Sequence, residues 1–202
     1  DPDDLKEPVC HYIAQRMQAA ARRPLAPERI LRLRNRIEAR HRQRNGKTGP
    51  DHEAHYSRFM RDVLQILFQD QFSDRLLDEV LEYELEVEAS MLVPRRQFVE
   101  WLATLKAAGK RILIISDMYL PGSALQRLLE KIRFPPLYDA VLSSADSMQA
   151  KASGAAWPMI AKKFDIVPAR WMHIGDHPVS DGHRPAAWAI QSLVIRDVKE
   201  KK

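Results

Sequence analysis

The sequence predicts an α/β protein: a mostly parallel sheet flanked by helices, preceded by a helical N-terminal region. Two observations predict it. Apolar residues before Pro94 recur at helical spacing without a strand-like run, and after Pro94 short apolar runs alternate with amphipathic stretches. Strands alternating with helices imply parallel pairing through right-handed crossovers.

The elements follow in order. Pro8 suits a first helical turn, and Val9, Tyr12, Ile13 and Met17 follow at core spacing. Pro24 and Pro27 break that segment, and a second helix runs from about Glu28 to Gln43. Asn45 to Pro50 is a loop by its turn residues. Tyr56, Phe59, Met60, Val63, Leu64, Leu67 and Phe68 mark a third helix. Ser73 caps a fourth, with Leu76, Leu77, Val80, Leu81 and Leu85 inward and an acidic outer face. The composition shifts near Met91 to Pro94, which divides the chain into a helical region, 1–93, and an α/β region, 94–202. Pro94 opens a helix that Gly109 ends. Strand 111–116, helix 122–131, strand 139–143, helix 152–164, strand 171–174, a short helix after Asp181 and strand 189–195 complete the pattern.

With 202 residues and 45% hydrophobic content, the chain suits one globular domain with a modest insertion. Its longest apolar runs are four or five residues, far short of a membrane span, and Asp1-Pro2-Asp3-Asp4 is unlike a signal peptide. One cysteine, Cys10, excludes an internal disulfide and reads as a helix-face residue. Cytoplasmic residence and no membrane partner are the expectations. Net charge is +5, and the nine arginines between Arg22 and Arg44 are relieved only by Glu28 and Glu38. A solvated basic face on an amphipathic helix explains this stretch better than a nucleic-acid surface. No aromatic platform interleaves those arginines.

The chemistry sits at predicted strand ends, where parallel α/β sheets place their ligands. Ser116 ends one apolar run and offers a hydroxyl beside turn N–H groups, an anion site, or else simply closes the strand. Lys151 opens a predicted helix, where the dipole disfavours a cation unless an anion faces it. A solvent-facing lysine is the plain alternative. Asp176 and Asp181 surround a turn released by Gly175, and both carboxylates can reach a hard cation. Asp181 also suits a helix N-cap. His173 and His177 read as supporting polar residues, since no further zinc-type ligand has metal spacing nearby. Trp157, Trp171 and Trp188 read as packing residues.

The ordered set of Ser116-Asp117-Met118-Tyr119-Leu120-Pro121, Lys151-Ala152-Ser153-Gly154 and His173-Ile174-Gly175-Asp176 with Asp181 resembles the haloacid dehalogenase (HAD)-like hydrolase superfamily. It is most similar to a bacterial branch with that second motif, partly joined to glycosyltransferases. The resemblance covers the second, third and fourth motifs, and the acidic helix around Glu82, Glu84 and Glu86 resembles that branch's inter-motif region. It implies a Rossmann-like core with a helical cap-like region over its mouth. It further implies Mg²⁺-dependent phosphomonoester hydrolysis through an aspartyl-phosphate. Ser116, Asp117 and Lys151 would bind the phosphoryl group, with Ser116 and Lys151 as catalytic residues. Asp176 and Asp181 would hold Mg²⁺. The implied partners are a small phosphorylated metabolite, such as a sugar phosphate, and a glycosyltransferase.

The family's first motif, an apolar strand ending in Asp-x-Asp-x-Thr, supplies the nucleophile, and none is visible in this chain. Asp1-Pro2-Asp3 has the spelling, but no strand precedes it. By the resemblance, the absent strand belongs between strands 111–116 and 171–174, so the expectation is a chain inactive as written and shortened at its start. A non-catalytic binding or scaffold domain is the alternative. Nucleic-acid binding through the 22–44 helix is a further one.

Overall fold

The computed structural model describes residues 2–195. Five helices come first: α1 (Pro2–Ala19), α2 (Pro27–Asn45), α3 (Tyr56–Phe68), α4 (Asp74–Met91) and α5 (Arg96–Ala107). Then follow β1 (Leu113–Ser116), α6 (Gly122–Lys131), β2 (Ala140–Ser143), α7 (Ser144–Ser147), α8 (Ala156–Lys163), β3 (Met172–Gly175), α9 (Arg184–Ala186) and β4 (Gln191–Val194). The α/β class with its helical region is the observed fold, and α6 has the expected bounds. α1 is described from Pro2, so Pro8 lies inside the helix and not in its first turn. Asp1 lies outside the described residues.

Helices α1 to α4 and α6 share one core. Val9, Ile13, Tyr56, Phe59, Val63 and Leu64 are wholly buried in it, and Leu120, Ala124 and Leu128 join it from the α/β half. Each of the Val, Leu, Ile and Phe side chains contributes roughly 1.5–3 kcal/mol on leaving water. The Ser73 hydroxyl caps α4 by accepting from the Leu76 N–H at 3.2 Å, as its sequence position predicts.

The arginine-rich helix departs from the expected solvated face at one position. Arg34 sits between Ile30 and Ile37 on the inward stripe of α2 and is fully buried. Its guanidinium donates to Glu84 Oε1 on α4 at 2.5 Å, and the Tyr119 hydroxyl donates to the same oxygen at 2.9 Å. The rings of Tyr119, Tyr56 and Phe59 surround the guanidinium carbon at 5.6, 5.9 and 6.0 Å. Burial pushes the Tyr119 phenol well above its ordinary range, and Glu84 adds to the shift. The remaining acids of α4 turn mainly elsewhere: Glu79 pairs with Arg16 of α1, and Glu82 with Arg127 and Lys131 of α6.

Among the described residues the strands form two separate two-stranded sheets, β1 with β2 and β3 with β4, both parallel. Leu113 faces Ala140 and Ser116 faces Ser143 in the first; Met172 faces Gln191 and Gly175 faces Val194 in the second. β1 and β3 therefore each keep one edge without a strand partner. Arg111 Nη1 donates to the Phe164 carbonyl at 2.8 Å, joining the segments that lead into β1 and β3.

Candidate active site

The site lies where β1 and β3 end. Beyond Ser116 the chain turns through Asp117, whose two carboxylate oxygens accept the backbone N–H groups of Lys151 and Ala152 at 2.9 and 3.1 Å. Asp117 thus pins the loop that carries the lysine. That loop is a correction to the sequence expectation: Lys151 precedes the helix, which starts only at Ala156. Gly154, at φ +94°, supplies the left-handed turn between them.

The lysine points at a carboxylate. Lys151 Nζ donates to Asp181 Oδ1 at 2.6 Å, with the lysine side chain 13% exposed and the aspartate 3%. His173 Nε2 lies 2.9 Å from the same oxygen, and the His177 N–H donates to Oδ2 at 3.0 Å. Burial works against ionisation of Asp181, but these bonds outweigh it and hold the carboxyl down to about 2. Burial pushes the His173 imidazole below its ordinary value, and the Asp181 hydrogen bond offsets that only in part. Trp157, wholly buried, stands edge-on to the His173 ring with centroids 4.7 Å apart. Its packing role agrees with the sequence reading, whereas Trp188 is 46% exposed.

Asp181 is not a terminal cap. It lies within the helical turn Pro178–His183, whose first N–H groups, on Val179 and Ser180, are accepted by the His177 ring nitrogen. Gly175 makes room for the carboxylate, since a Cβ there would stand 2.3 Å from Asp181 Cγ.

Of the expected site residues, the structure joins Lys151, Asp117 and Asp181 through these bonds. Ser116 is half-buried at the end of β1, and Asp176 is exposed at the end of β3. Two acids escaped the sequence reading. Asp51 Oδ2 accepts the Ala150 N–H at 2.7 Å and the Ser153 hydroxyl at 2.8 Å, bracing the lysine loop from the other side. Glu53 accepts the Ser144 hydroxyl at 2.8 Å; burial, with Asp117 and Asp51 nearby, raises its carboxyl above the ordinary range. Both come from the α2–α3 connection, so the helical region itself reaches the site. The turn residues of Asn45 to Pro50 marked a loop beside them but gave no sign of a functional role.

For a divalent cation the donor chemistry fits in part. Asp176 offers an open carboxylate, while the oxygens of Asp181 already accept three donors. Among the described residues no three His, Cys, Asp or Glu side chains converge as a metal cage. Magnesium needs no such cage, because one or two carboxylates complete its shell with waters and substrate phosphate.

A parallel α/β core with a helical region beside it defines a Rossmann-like protein, and its candidate site brings a lysine and carboxylates together near the strand ends. Residues 6–182 match the family model of haloacid dehalogenase-like hydrolases, and the chain belongs to that family. No curated protein matches it. Among solved structures it is similar to a dehalogenase determined as an intermediate complex, at 16% identity and TM-score 0.53, over 89% of this chain and 76% of that one. It is also similar to the L-2-haloacid dehalogenase of Xanthobacter autotrophicus, at 15% identity and TM-score 0.48, over 90% and 69% of the two chains. A hydrolase from Streptococcus pneumoniae is similar at 13% identity and TM-score 0.46, over 98% and 88%. Among the described residues no helix is long and apolar enough to cross a membrane.

Proposed function

We propose that the chain is the lysine- and carboxylate-bearing part of a Mg²⁺-dependent phosphomonoester hydrolase. The observation that carries this reading is the Lys151–Asp181 contact of 2.6 Å at the mouth between the ends of β1 and β3. The Ser116 hydroxyl and the turn N–H groups at Asp117 would receive phosphoryl oxygens, since the Asp117 carboxylate is committed to Lys151 and Ala152. Lys151 would neutralise charge developing on those oxygens, and Asp181 with His173 would fix its amine in place. Asp176, with Asp181 behind it, would hold Mg²⁺, which supplies further charge neutralisation when bound. No attacking carboxylate is assigned among the described residues. The substrate would be a small phosphorylated metabolite, such as a sugar phosphate, with the helical region 1–93 as a cap that excludes water. Binding without turnover is the second reading, favoured by the full set of donors already on Asp181.

The test expresses the natural reading frame, including whatever precedes Asp1, and assays an aryl phosphate with Mg²⁺. Turnover is expected, and Asp176→Asn should lower kcat by about 100-fold or more. Inactivity across a broad panel of phosphate esters overturns the reading in favour of a binding domain.

A further inference from the structure

The arginine-bearing face of α2 borders a hollow of about 680 Å³, shared with the α1–α2 connection and the end of α3. Five arginines line it: Arg22 and Arg23 from the connection, and Arg29, Arg32 and Arg36 from α2. Among the described residues no acidic side chain lines it. Elsewhere in the helical region arginines find carboxylates, as Arg16 does with Glu79, Arg34 with Glu84 and Arg42 with Glu38. In the hollow Arg22 alone is paired, with Asp70, and it also donates to the Phe68 carbonyl at 2.6 Å. Arg23, Arg29, Arg32 and Arg36 are exposed and have no carboxylate partner among the described residues. Positions 29, 32 and 36 follow helical spacing, so their guanidiniums form one row about 10 Å long. The floor between the arginines is apolar. Leu25 and Leu33 are half-buried there. Ile66 is 52% exposed, although α3 buries all its other apolar side chains.

We infer that this hollow docks an acidic amphipathic helix of a partner protein. Its leucine-type residues cover Leu25, Leu33 and Ile66, and its Asp or Glu residues face Arg29, Arg32 and Arg36. Charge complementarity carries the choice. Like charges crowd one concave surface, and carboxylates relieve that repulsion while matching the planar guanidinium fork. The arginine row covers two helical turns, so the partner needs a matching stripe of about two to three turns. Apolar residues at i, i+3, i+4 and i+7 give such a helix the face that grooves of this kind take. Nucleic acid brings negative charge without an apolar stripe, which leaves the floor uncovered, and no aromatic side chain lines the hollow for base stacking. A bilayer surface receives projecting apolar side chains, whereas this floor is recessed. A second copy of the chain does not match, because its acidic helix α4 keeps Leu76, Leu77, Val80, Leu81 and Leu85 in the core. From Arg29 to Asn45, where the chain turns toward Asp51 and Glu53, α2 runs about 24 Å. The hollow is thus remote from the candidate active site, and the inference stands apart from the phosphatase reading.

The test titrates the full chain into a fluorescent helical peptide carrying Leu at i, i+3, i+4 and i+7 with Glu on both flanks, and reads anisotropy. One peptide should bind per chain, more weakly as salt rises. A peptide of the same composition, scrambled so that no stripe forms, should bind about tenfold more weakly or worse. Two variants of the protein alter only exposed side chains: Ile66→Ser, and Arg29→Gln with Arg32→Gln and Arg36→Gln. Each should weaken binding about tenfold or more while the urea midpoint of the chain stays near that of the natural protein. The arginine variant should also lose most of the salt dependence. Equal binding of the scrambled peptide, or of the Ile66→Ser chain, reduces the surface to unspecific charge attraction and overturns the inference. No binding at about millimolar peptide overturns it as well. Tighter binding to a DNA duplex or to phosphatidylglycerol vesicles than to the peptide assigns the arginines to that anion and overturns it equally. None of these outcomes depends on turnover of a phosphate ester.

Discussion

Asp181 lies so close over Gly175 that a methyl group on the glycine would stand 2.3 Å from its carboxyl carbon. The glycine thus sets where the carboxylate rests, and through it where the Lys151 amine points.

The first prediction follows directly. Gly175→Ala must push Asp181 aside or shift the end of β3, at about 1–3 kcal/mol of overpacking. Urea denaturation should show that loss. If stability is unchanged, the turn has more give than this contact implies.

The second concerns acid. An unfolded aspartate titrates near about 3.9, and Asp181 is held down to about 2 in the fold. Its contribution is therefore complete above the unfolded value and is lost as pH falls from about 4 toward 2. Stability of the natural chain and of Asp181→Asn should differ most near neutrality and converge across that window. His173 is also depressed, so its contribution is lost as pH falls below about 6.5. His173→Gln should flatten that higher limb. A constant gap between Asp181→Asn and the natural chain at all pH values refutes the assignment.

The third concerns the buried pair on α2 and α4. Arg34→Met leaves Glu84 charged and unpaired in the core, at about 3–5 kcal/mol. Replacing both, as Arg34→Met with Glu84→Leu, should recover most of that loss, because the pair's own desolvation is removed with it. Tyr119→Phe should cost less, about 1–2 kcal/mol, by deleting one hydrogen bond to Glu84. Chemical denaturation of the four chains decides it; a double variant as unstable as Arg34→Met counts against the argument.

Much of this was legible before any coordinates. α3 and α6 show strong one-sided apolar patterns, and periodicity located both. The site motifs were legible as strand ends, because Gly175 and the apolar runs before Ser116 mark where a chain leaves a sheet. The Lys151 loop was not. Its alanines favour helix, but Asp51 takes the Ala150 N–H, Asp117 takes those of Lys151 and Ala152, and Gly154 turns left-handed before the helix. Those acids are 34 and 99 residues away from the amides they hold, beyond any local pattern. Arg34 was hidden differently. It looked like one charge among nine, although its position between Ile30 and Ile37 placed it on the apolar stripe.

The shared core of α1 to α4 and α6 makes this molecule a helical hub with two small leaves of sheet at its rim. Cohesion resides in the hub, whereas the candidate site lies at the ends of the two leaves. Damage to a leaf can therefore silence the protein while its body stays intact and well behaved, so solubility is a poor proxy for a working site.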